Sequence, residues 1–366
     1  MRTEIEIPCQ WNRTILEEIV TENQRGEPSR PVINAVYGSL PRGVLGNGRA
    51  QGTVVDVEDY VGYRNYARSQ NVDFYYTLNA PHTPRYIMEN EREIENDLHW
   101  IMDELQPDAL IMASQGLMRK VRFILGDIPI HISSIARVSK ARDIGKYLDF
   151  EPKKIIVQHD VGRNFRDLED INRRGEELGI DITVMLTESC LRRCPDMRAH
   201  YDHVGQGGDD RNFHFGCSSQ KLLHPHELLK ANVIRPEDVG FYENRGISHF
   251  KITGRSKRVE WLPLVTRAYS ERNFKGNLIR LMGIDPNLNA EDWIYINNEA
   301  LEGFIENFPQ TGNAEDENAY CEGWAVKLFR QGNLCIDGFD YEIEDDRLIY
   351  KGGLPNLCRI YGIDKK

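Results

Sequence analysis

Residues 32–69 read VINAVYGSLPRGVLGNGRAQGTVVDVEDYVGYRNYARS and contain one complete unit of the pattern that predicts the fold. It begins with a short β-branched and aromatic run, Val32–Tyr37, and continues through the glycine-rich loop Gly43–Gly52. It ends in Val57–Ser69, whose apolar residues recur at helical spacing. A strand followed by a loop and an amphipathic helix is the repeating unit of parallel α/β proteins.

The same unit recurs along the chain to about residue 275. Further strand candidates are Asp73–Leu78, Ala109–Ala113, Ile130–Ser133, Ile155–Gln158, Ile182–Leu186, Asn212–Phe215 and His249–Thr253, of which Asn212–Phe215 is the weakest. Helical patterns lie between them at Glu91–Leu105, Leu117–Leu125, Ala136–Leu148 and Phe165–Leu178, and one follows at Val259–Tyr269. Eight strands alternating with helices favour an α/β fold of the (β/α)8 TIM-like barrel type, with an open doubly wound sheet as the alternative.

The composition of the sequence changes at the C-terminal end of this region. Pro286, Asn287 and Asn289 interrupt the pattern after Leu281, and the segment 303–318 is rich in Asn, Glu and Gly. We therefore predict an N-terminal extension over residues 1–30, a barrel over 31–282 and a small C-terminal extension over 283–366.

Charge and composition narrow the classes of function. The chain has 46 Lys and Arg against 57 Asp and Glu, a net charge of −11, so binding of bulk nucleic acid is not expected as its main activity. The N-terminal MRTEIEIPCQ is acidic where a signal peptide needs an apolar run, and no run approaches the ~20 apolar residues of a membrane span. We expect a cytoplasmic protein that does not act in a membrane.

Cysteines converge on the predicted strand ends. Cys190 and Cys194 follow the sixth predicted strand, and Cys217 ends the weak seventh. Cys321, in NAYCEGW, could join them if the C-terminal extension folds back over the barrel mouth. Four thiolates are the ligand set of a [4Fe-4S] cluster and also of a structural zinc ion, and the spacing does not separate the two. The seven cysteines are too few and too unevenly placed for a disulfide scaffold, and Cys9, Cys335 and Cys358 are interpreted as small apolar residues.

Several segments resemble the peptidase U-32, or collagenase-like, family. They are VYGSLPRGVLGNGRA (36–50), DFYYTLNAP (73–81), ESCLRRCPDMRAHY (188–201), NVIRPEDVGFYENRGISHFKITGR (232–255), and the late FPQ and AYCEGW, in order over about residues 30 to 325. The cysteine segment and RPED…FKITGR are the most specific of them.

The resemblance implies a barrel and, in the hydroxylating branch of the family, an oxygen-sensitive [4Fe-4S] cluster held by four cysteines. Carried over by position, the ligands are Cys190, Cys194, Cys217 and Cys321. Relatives of this branch usually have several cysteines in the tail, whereas this chain keeps only Cys321 in the matching segment, so Cys335 is the substitute candidate for the fourth ligand. The branch hydroxylates a ubiquinone precursor, transfer RNA or ribosomal RNA without molecular oxygen, and its members can act as heterodimers with a paralogous partner.

Basic and polar residues at other predicted strand ends are candidates for ligand binding. Lys251 and Arg255 could hold a carboxylate or phosphate, or could form structural salt bridges. His159 could carry a proton or serve as a hydrogen-bonded structural residue. No catalytic residue is assigned, and the candidates are His159, Lys251 and Arg255. The predicted substrate-binding residues are Tyr37, Asn79, Gln115, Ser133, Lys251 and Arg255.

Three functions remain open on the sequence. The first is an iron–sulfur oxidoreductase of the hydroxylase type, acting without oxygen on a small or carrier-bound substrate. The second is a peptidase or other hydrolase, as the family name suggests, although the chain has no GxSxG or HExxH motif. The third is a non-catalytic, cluster-bearing subunit of a complex.

Overall fold

Eight parallel strands close into a barrel in which every strand pairs with its neighbours in sequence order and β8 pairs with β1. The structure is a computed structural model and describes residues 2–25, 30–40, 43–48, 55–284 and 288–353. The barrel strands are β1 (Glu4–Pro8), β2 (Val32–Gly38), β3 (Asp73–Leu78), β4 (Ala109–Met112), β5 (Ile130–Ile132), β6 (Lys154–Ile156), β7 (Asp181–Met185) and β8 (His249–Lys251). The predicted (β/α)8 barrel is confirmed.

Helices cover the outside of the barrel between the strands. They are α1 (Arg13–Arg25), α2 (Val57–Ser69), α3 (Pro84–Glu89), α4 (Glu91–Trp100), α5 (Gln115–Leu125), α6 (Phe165–Leu178), α7 (Met197–Gly205), α8 (Arg211–Leu223), α9 (His226–Lys230), α10 (Val239–Glu243) and α11 (Trp261–Glu271). The packing is close: a Cβ on Gly175 of α6 would lie 2.7 Å from the carbonyl oxygen of Ile180, just before β7. The helix predicted over 136–148 is instead a 3-10 helix, Ala141–Phe150.

The first barrel strand lies inside the region predicted to be an N-terminal extension, so that prediction is wrong. β1 pairs with both β2 and β8 and is buried at Ile5 and Ile7. The acidic residue between them, Glu6, is also buried, and its carboxylate accepts hydrogen bonds from Lys154 and Lys251, each at 2.8 Å. These partners lie 148 and 245 residues away, so the local sequence does not reveal that the charge of Glu6 is compensated.

The strand predicted at Asn212–Phe215 is also wrong. These residues form the first turn of α8, which continues to Leu223. The ring of Phe213 stacks on His200 of α7 with centroids 4.6 Å apart. Its aromatic character therefore serves packing between two helices. Cys217 consequently projects from a helix and does not end a strand.

The chain after residue 282 packs back on the barrel. The backbone N–H of Gly283 donates to the carbonyl of Thr187 at 2.8 Å, just beyond β7. The elements that follow are β9 (Ile294–Ile296), α12 (Ala314–Arg330), β10 (Leu334–Ile336), β11 (Asp340–Glu344) and β12 (Arg347–Gly352). β9 pairs with β10 and β11 with β12, both antiparallel. One cluster of buried apolar side chains includes both Ile7 of the barrel and Leu328 of α12, so the extension shares the barrel core.

Some predicted features lie outside the described residues. They are the end of the glycine-rich loop from Arg49 to Gly52, the chain breakers Pro286 and Asn287, and Cys358. Within the residues that are described, no helix is long and apolar enough to cross a membrane.

Candidate functional site

The loop after β7 carries Cys190 and Cys194 at the carboxyl end of the barrel. Thr187 fixes the start of this loop: its hydroxyl lies 2.9 Å from the carbonyl oxygen of Thr253 and accepts from the N–H of Thr253 at 2.8 Å. The N–H of Cys190 donates to the carboxylate of Glu188 at 3.1 Å. The two thiols therefore lie at the end of the barrel where active sites of such barrels are found.

Helix α8 brings a third thiol to the same place. Cys217, Cys190 and Cys194 line one cavity of about 410 Å³, together with Glu188 and Lys221. All three thiols are partly buried. The structure thus brings together the three cysteines that the sequence grouped, although α8 and not a strand supplies Cys217.

Lys221 is a site residue that the sequence analysis missed. Its ammonium lies 3.2 Å from the sulfur of Cys217, one helical turn earlier on α8, and its side chain is buried. Burial alone would lower the pKa of Lys221, but the sulfurs of Cys217 and Cys190 outweigh it and raise that pKa. An ammonium beside sulfur stabilises thiolate, the form that binds metals. The i, i+4 spacing of Cys217 and Lys221 would have indicated this contact had the segment been interpreted as a helix.

The remaining described cysteines lie elsewhere. Cys321, on α12, is fully buried, and burial raises the pKa of its thiol to about 12. Cys335 is exposed on β10 opposite Tyr295, and Cys9 is buried beside β1. Neither Cys321 nor Cys335 is among the residues that line the cavity of the three thiols. Glu227 of α9 lines the cavity and is also a charged neighbour of Cys321. The fourth ligand therefore stays a prediction.

Ion pairs to one buried carboxylate connect α12 to the loop that carries Cys190 and Cys194, here called the cysteine loop. The carboxylate of Glu317 binds Arg192 at 2.7 and 3.0 Å and Arg193 at 2.6 and 3.0 Å. Arg192 also donates to the carbonyl of Asp160 at 2.6 Å. Burial would raise the pKa of Glu317, but the two guanidinium groups outweigh it and hold that pKa below its usual range. Glu317 thus positions the loop that carries Cys190 and Cys194.

Lys251 is not available at the barrel mouth, which corrects its predicted role as a catalytic or ligand-binding residue. It is buried, its ammonium is paired with Glu6 at 2.8 Å, and it lies 3.3 Å from the centroid of the Tyr37 ring. For this residue the structural salt bridge is the correct interpretation. Arg255 lies beyond β8, where a guanidinium nitrogen is 3.3 Å from the side-chain oxygen of Asn47.

The other predicted pocket residues form separate contacts. Asn79 donates to Ser133 at 3.2 Å and accepts from the N–H of Gly48, and the Tyr37 hydroxyl donates to the carbonyl of Ile252 at 2.8 Å. Gln115 begins α5. His159 is buried, with its Nε2 atom 3.3 Å from Asp160. None of these residues is among those that line the thiol cavity.

A second group of donors lines the rim of the thiol cavity. His200 and His214 line it, and Asp210 lies beside them. Among the described residues, His200, Asp210 and His214 form the only set of three His, Cys, Asp or Glu donors whose ligand atoms lie within 4.8 Å of one another. The sequence analysis missed this group because it depends on the packing of α7 against the first turn of α8.

Known proteins resemble this chain over much of its length. The sequence profile of peptidase family U32 matches residues 30–194. An uncharacterized protease of Methanocaldococcus jannaschii is 26% identical over 313 residues, covering 81% of this chain and 88% of that protein. The tRNA hydroxylation protein P of two Helicobacter pylori strains is 23% and 25% identical, covering 64% of this chain and 58% of each relative. A solved U32 peptidase structure has 11% identity and a TM-score of 0.47, covering 69% of this chain and 92% of the other.

The profile match and the relatives support one assignment. The matched region runs from just before β2 to Cys194, so it includes the first two thiols of the cavity. The aligned part of the M. jannaschii protein extends over most of both chains. The chain is therefore similar to peptidase family U32, with the family profile matching residues 30–194.

Proposed function

We propose that this protein is an oxygen-independent hydroxylase that depends on a [4Fe-4S] cluster. The observation that carries the proposal is the convergence of Cys190, Cys194 and Cys217 on one cavity at the carboxyl end of the barrel. Three soft thiol ligands from two chain segments fit a Cys-ligated cluster. The similarity to proteins named for tRNA hydroxylation supports the reaction type.

The residues of this chain have separate proposed roles around the cluster. Cys190, Cys194 and Cys217 would hold it, with Cys321 as the fourth ligand and Cys335 as the substitute. Lys221 would donate a hydrogen bond to the sulfur of Cys217 and would thereby adjust the reduction potential of the cluster. The bound cluster would supply electron-transfer chemistry, and a separate organic oxygen donor would give up the oxygen atom and be reduced by two electrons as the substrate is oxidised. The rest of the cavity of about 410 Å³ would take the substrate.

For the substrate we propose a small or carrier-bound molecule. We propose that the protein acts on it in the cytoplasm, either alone or together with a paralogous partner chain. The net charge of −11 disfavours electrostatic binding to the phosphate backbone of a nucleic acid over a large surface. Transfer RNA is the second candidate, since two relatives are named for its hydroxylation. Titration with transfer RNA at increasing salt distinguishes them: submicromolar, salt-resistant binding would favour the RNA.

The main experiment is metal analysis of anaerobically purified protein. We expect about four iron and four sulfide per chain, lost in Cys190→Ala, Cys194→Ala and Cys217→Ala and kept in the control Cys9→Ala, which removes a cysteine outside the proposed ligand set. Cys321→Ser and Cys335→Ser, measured side by side, test the identity of the fourth ligand. Stoichiometric zinc without sulfide would overturn the proposal.

Turnover assays separate the hydroxylase from a peptidase and from a non-catalytic subunit. Hydrolysis of collagen-derived peptides by the Cys190→Ala variant at the rate of the unaltered protein would favour the peptidase. A complete cluster with no turnover unless a paralogous chain is added would favour the cluster-bearing subunit.

A further inference from the structure

We propose that His200, Asp210 and His214 bind one divalent transition-metal ion at the rim of the thiol cavity, separately from the cysteines. His200 comes from α7, whereas Asp210 and His214 come from the start of α8. Their ligand atoms all lie within 4.8 Å of one another. The proposal adds a second metal centre to the site and does not depend on the cluster.

The geometry of the three donors is close to that of a bound ion. Nε2 of His214 lies 3.1 Å from a carboxylate oxygen of Asp210, and the rings of His200 and His214 have centroids 5.6 Å apart at 84°. Donors bonded to one ion at about 2.1 Å stand about 3.4 Å apart. Small side-chain rotations therefore bring all three to a common ion.

Packing limits the freedom of His200. Its ring stacks on Phe213 with centroids 4.6 Å apart and planes within 10°. Phe213 of α8 therefore keeps the imidazole of His200 next to Asp210 and His214. All three donor side chains are partly buried. A site built this way loses little side-chain entropy when the ion binds.

The donor set indicates the class of metal and ligand. Two imidazoles and one carboxylate bind zinc in open catalytic sites and ferrous iron in the facial-triad arrangement, and both leave coordination positions free. His200 and His214 line the cavity that also contains the three thiols. A carboxylate or hydroxyl group of a molecule in that cavity is the ligand class that such an open position takes.

Cobalt titration tests the site directly. Anaerobically purified protein, with its iron content measured first, is titrated with Co²⁺ alone and followed by absorption and calorimetry. We expect one equivalent with the weak visible bands of nitrogen and oxygen coordination and no thiolate-to-cobalt charge-transfer band. His214→Ala and Asp210→Ala should each weaken binding by at least about tenfold, since even outer-shell changes cost 10–100-fold.

Three further variants control the interpretation. His203→Ala removes an exposed histidine of α7 that also lies against Phe213 but is outside the donor set, and it should leave affinity unchanged. Asp210→Asn keeps the shape of the side chain, so weakened binding in this variant does not depend on misfolding. Cys194→Ser and Cys217→Ser should retain the cobalt equivalent. Loss of binding only in the cysteine variants, a charge-transfer band, or unchanged affinity in His214→Ala and Asp210→Asn would each overturn the proposal.

Discussion

Thr183 in β7 and Thr187 just beyond this strand are both buried, but only the hydroxyl of Thr187 forms hydrogen bonds that position the site. Thr187 joins β7 to β8 through Thr253, which places the start of the cysteine loop. The hydroxyl of Thr183 is fully buried and has no hydrogen-bond partner among the described residues. The two side chains share size and burial but differ in their hydrogen bonds.

This difference predicts that replacing each threonine with valine changes the free energy of unfolding differently. Thr187→Val should lower the free energy of unfolding by about 1–3 kcal/mol, because it leaves the partly buried N–H of Thr253 without its acceptor. Thr183→Val should be neutral or stabilising, since it removes a buried hydroxyl that forms no bond. Urea denaturation measures both, and equal destabilisation by the two variants would contradict the assigned role of Thr187.

Lys221 should set the redox behaviour of the proposed cluster. Its ammonium contacts the sulfur of Cys217, and a positive charge beside a cluster favours the reduced, more negative state. Lys221→Met should therefore lower the reduction potential, while Lys221→Arg retains the charge and should stay close to the unaltered protein. Potentiometric titration with EPR detection measures the difference. A Lys221→Met variant with full iron content and an unchanged potential would exclude this role.

At the scale of elements, the contact between helix α12 and the cysteine loop depends on the carboxylate of Glu317. Glu317→Gln keeps the size of the side chain but leaves the buried Arg192 without its counter-charge. We expect a loss of about 3 kcal/mol, the lower end for breaking a buried pair, and faster amide exchange in residues 188–196. Glu315→Gln on the same helix is exposed and should change little. Exchange in the loop that is identical in both variants would show that Glu317 does not position it.

The pH dependence of this contact has a definite sign. The pKa of Glu317 is lower in the folded protein than in the unfolded chain. Its contribution is therefore complete above the ordinary glutamate pKa and is lost as the pH falls through the lowered value. Glu317→Gln should remove that acid-side loss.

The elements also show what the sequence could predict. The sequence predicts α6 at its observed bounds because its apolar residues keep one helical period from Phe165 to Leu178. It does not reveal β1, because Glu6 interrupts the apolar pattern and its counter-charges are distant in sequence. The segment 212–215 is misassigned because four residues cannot distinguish a strand from one helical turn. The three thiols still lie together as predicted, since both a strand and the observed helix α8 place Cys217 at the same end of the barrel. The His200, Asp210 and His214 set, in contrast, depends on helix packing that no local sequence pattern predicts.

At the scale of the whole molecule, the barrel buries charge and neutral imidazole in its interior. Glu6 accepts from Lys154 and Lys251, and His131 of β5 lies near these groups, with its ring centroid 4.5 Å from that of Tyr75. Burial lowers the pKa of His131 to about 3, with the two lysines acting in the same direction and Glu6 against it. Outside the barrel interior, in the loop after β3, partial burial lowers the pKa of His82 to about 4. Both imidazoles are therefore neutral in the folded protein at pH 7.

These two histidines predict loss of stability in mild acid. Between the ordinary histidine pKa of about 6.5 and pH 4 the unfolded chain binds protons that the folded barrel does not, so the free energy of unfolding must fall as the pH falls. Two protons give a slope of up to about 2.7 kcal/mol per pH unit in this window. His131→Gln should reduce that slope by about half, whereas His99→Gln, at an exposed position of α4, should leave it unchanged. Urea denaturation at pH 4.5, 5.5, 6.5 and 7.5 measures the slope; if His131→Gln retains the full slope, the barrel histidine is protonated in the folded state and the interior is less dry than the structure implies.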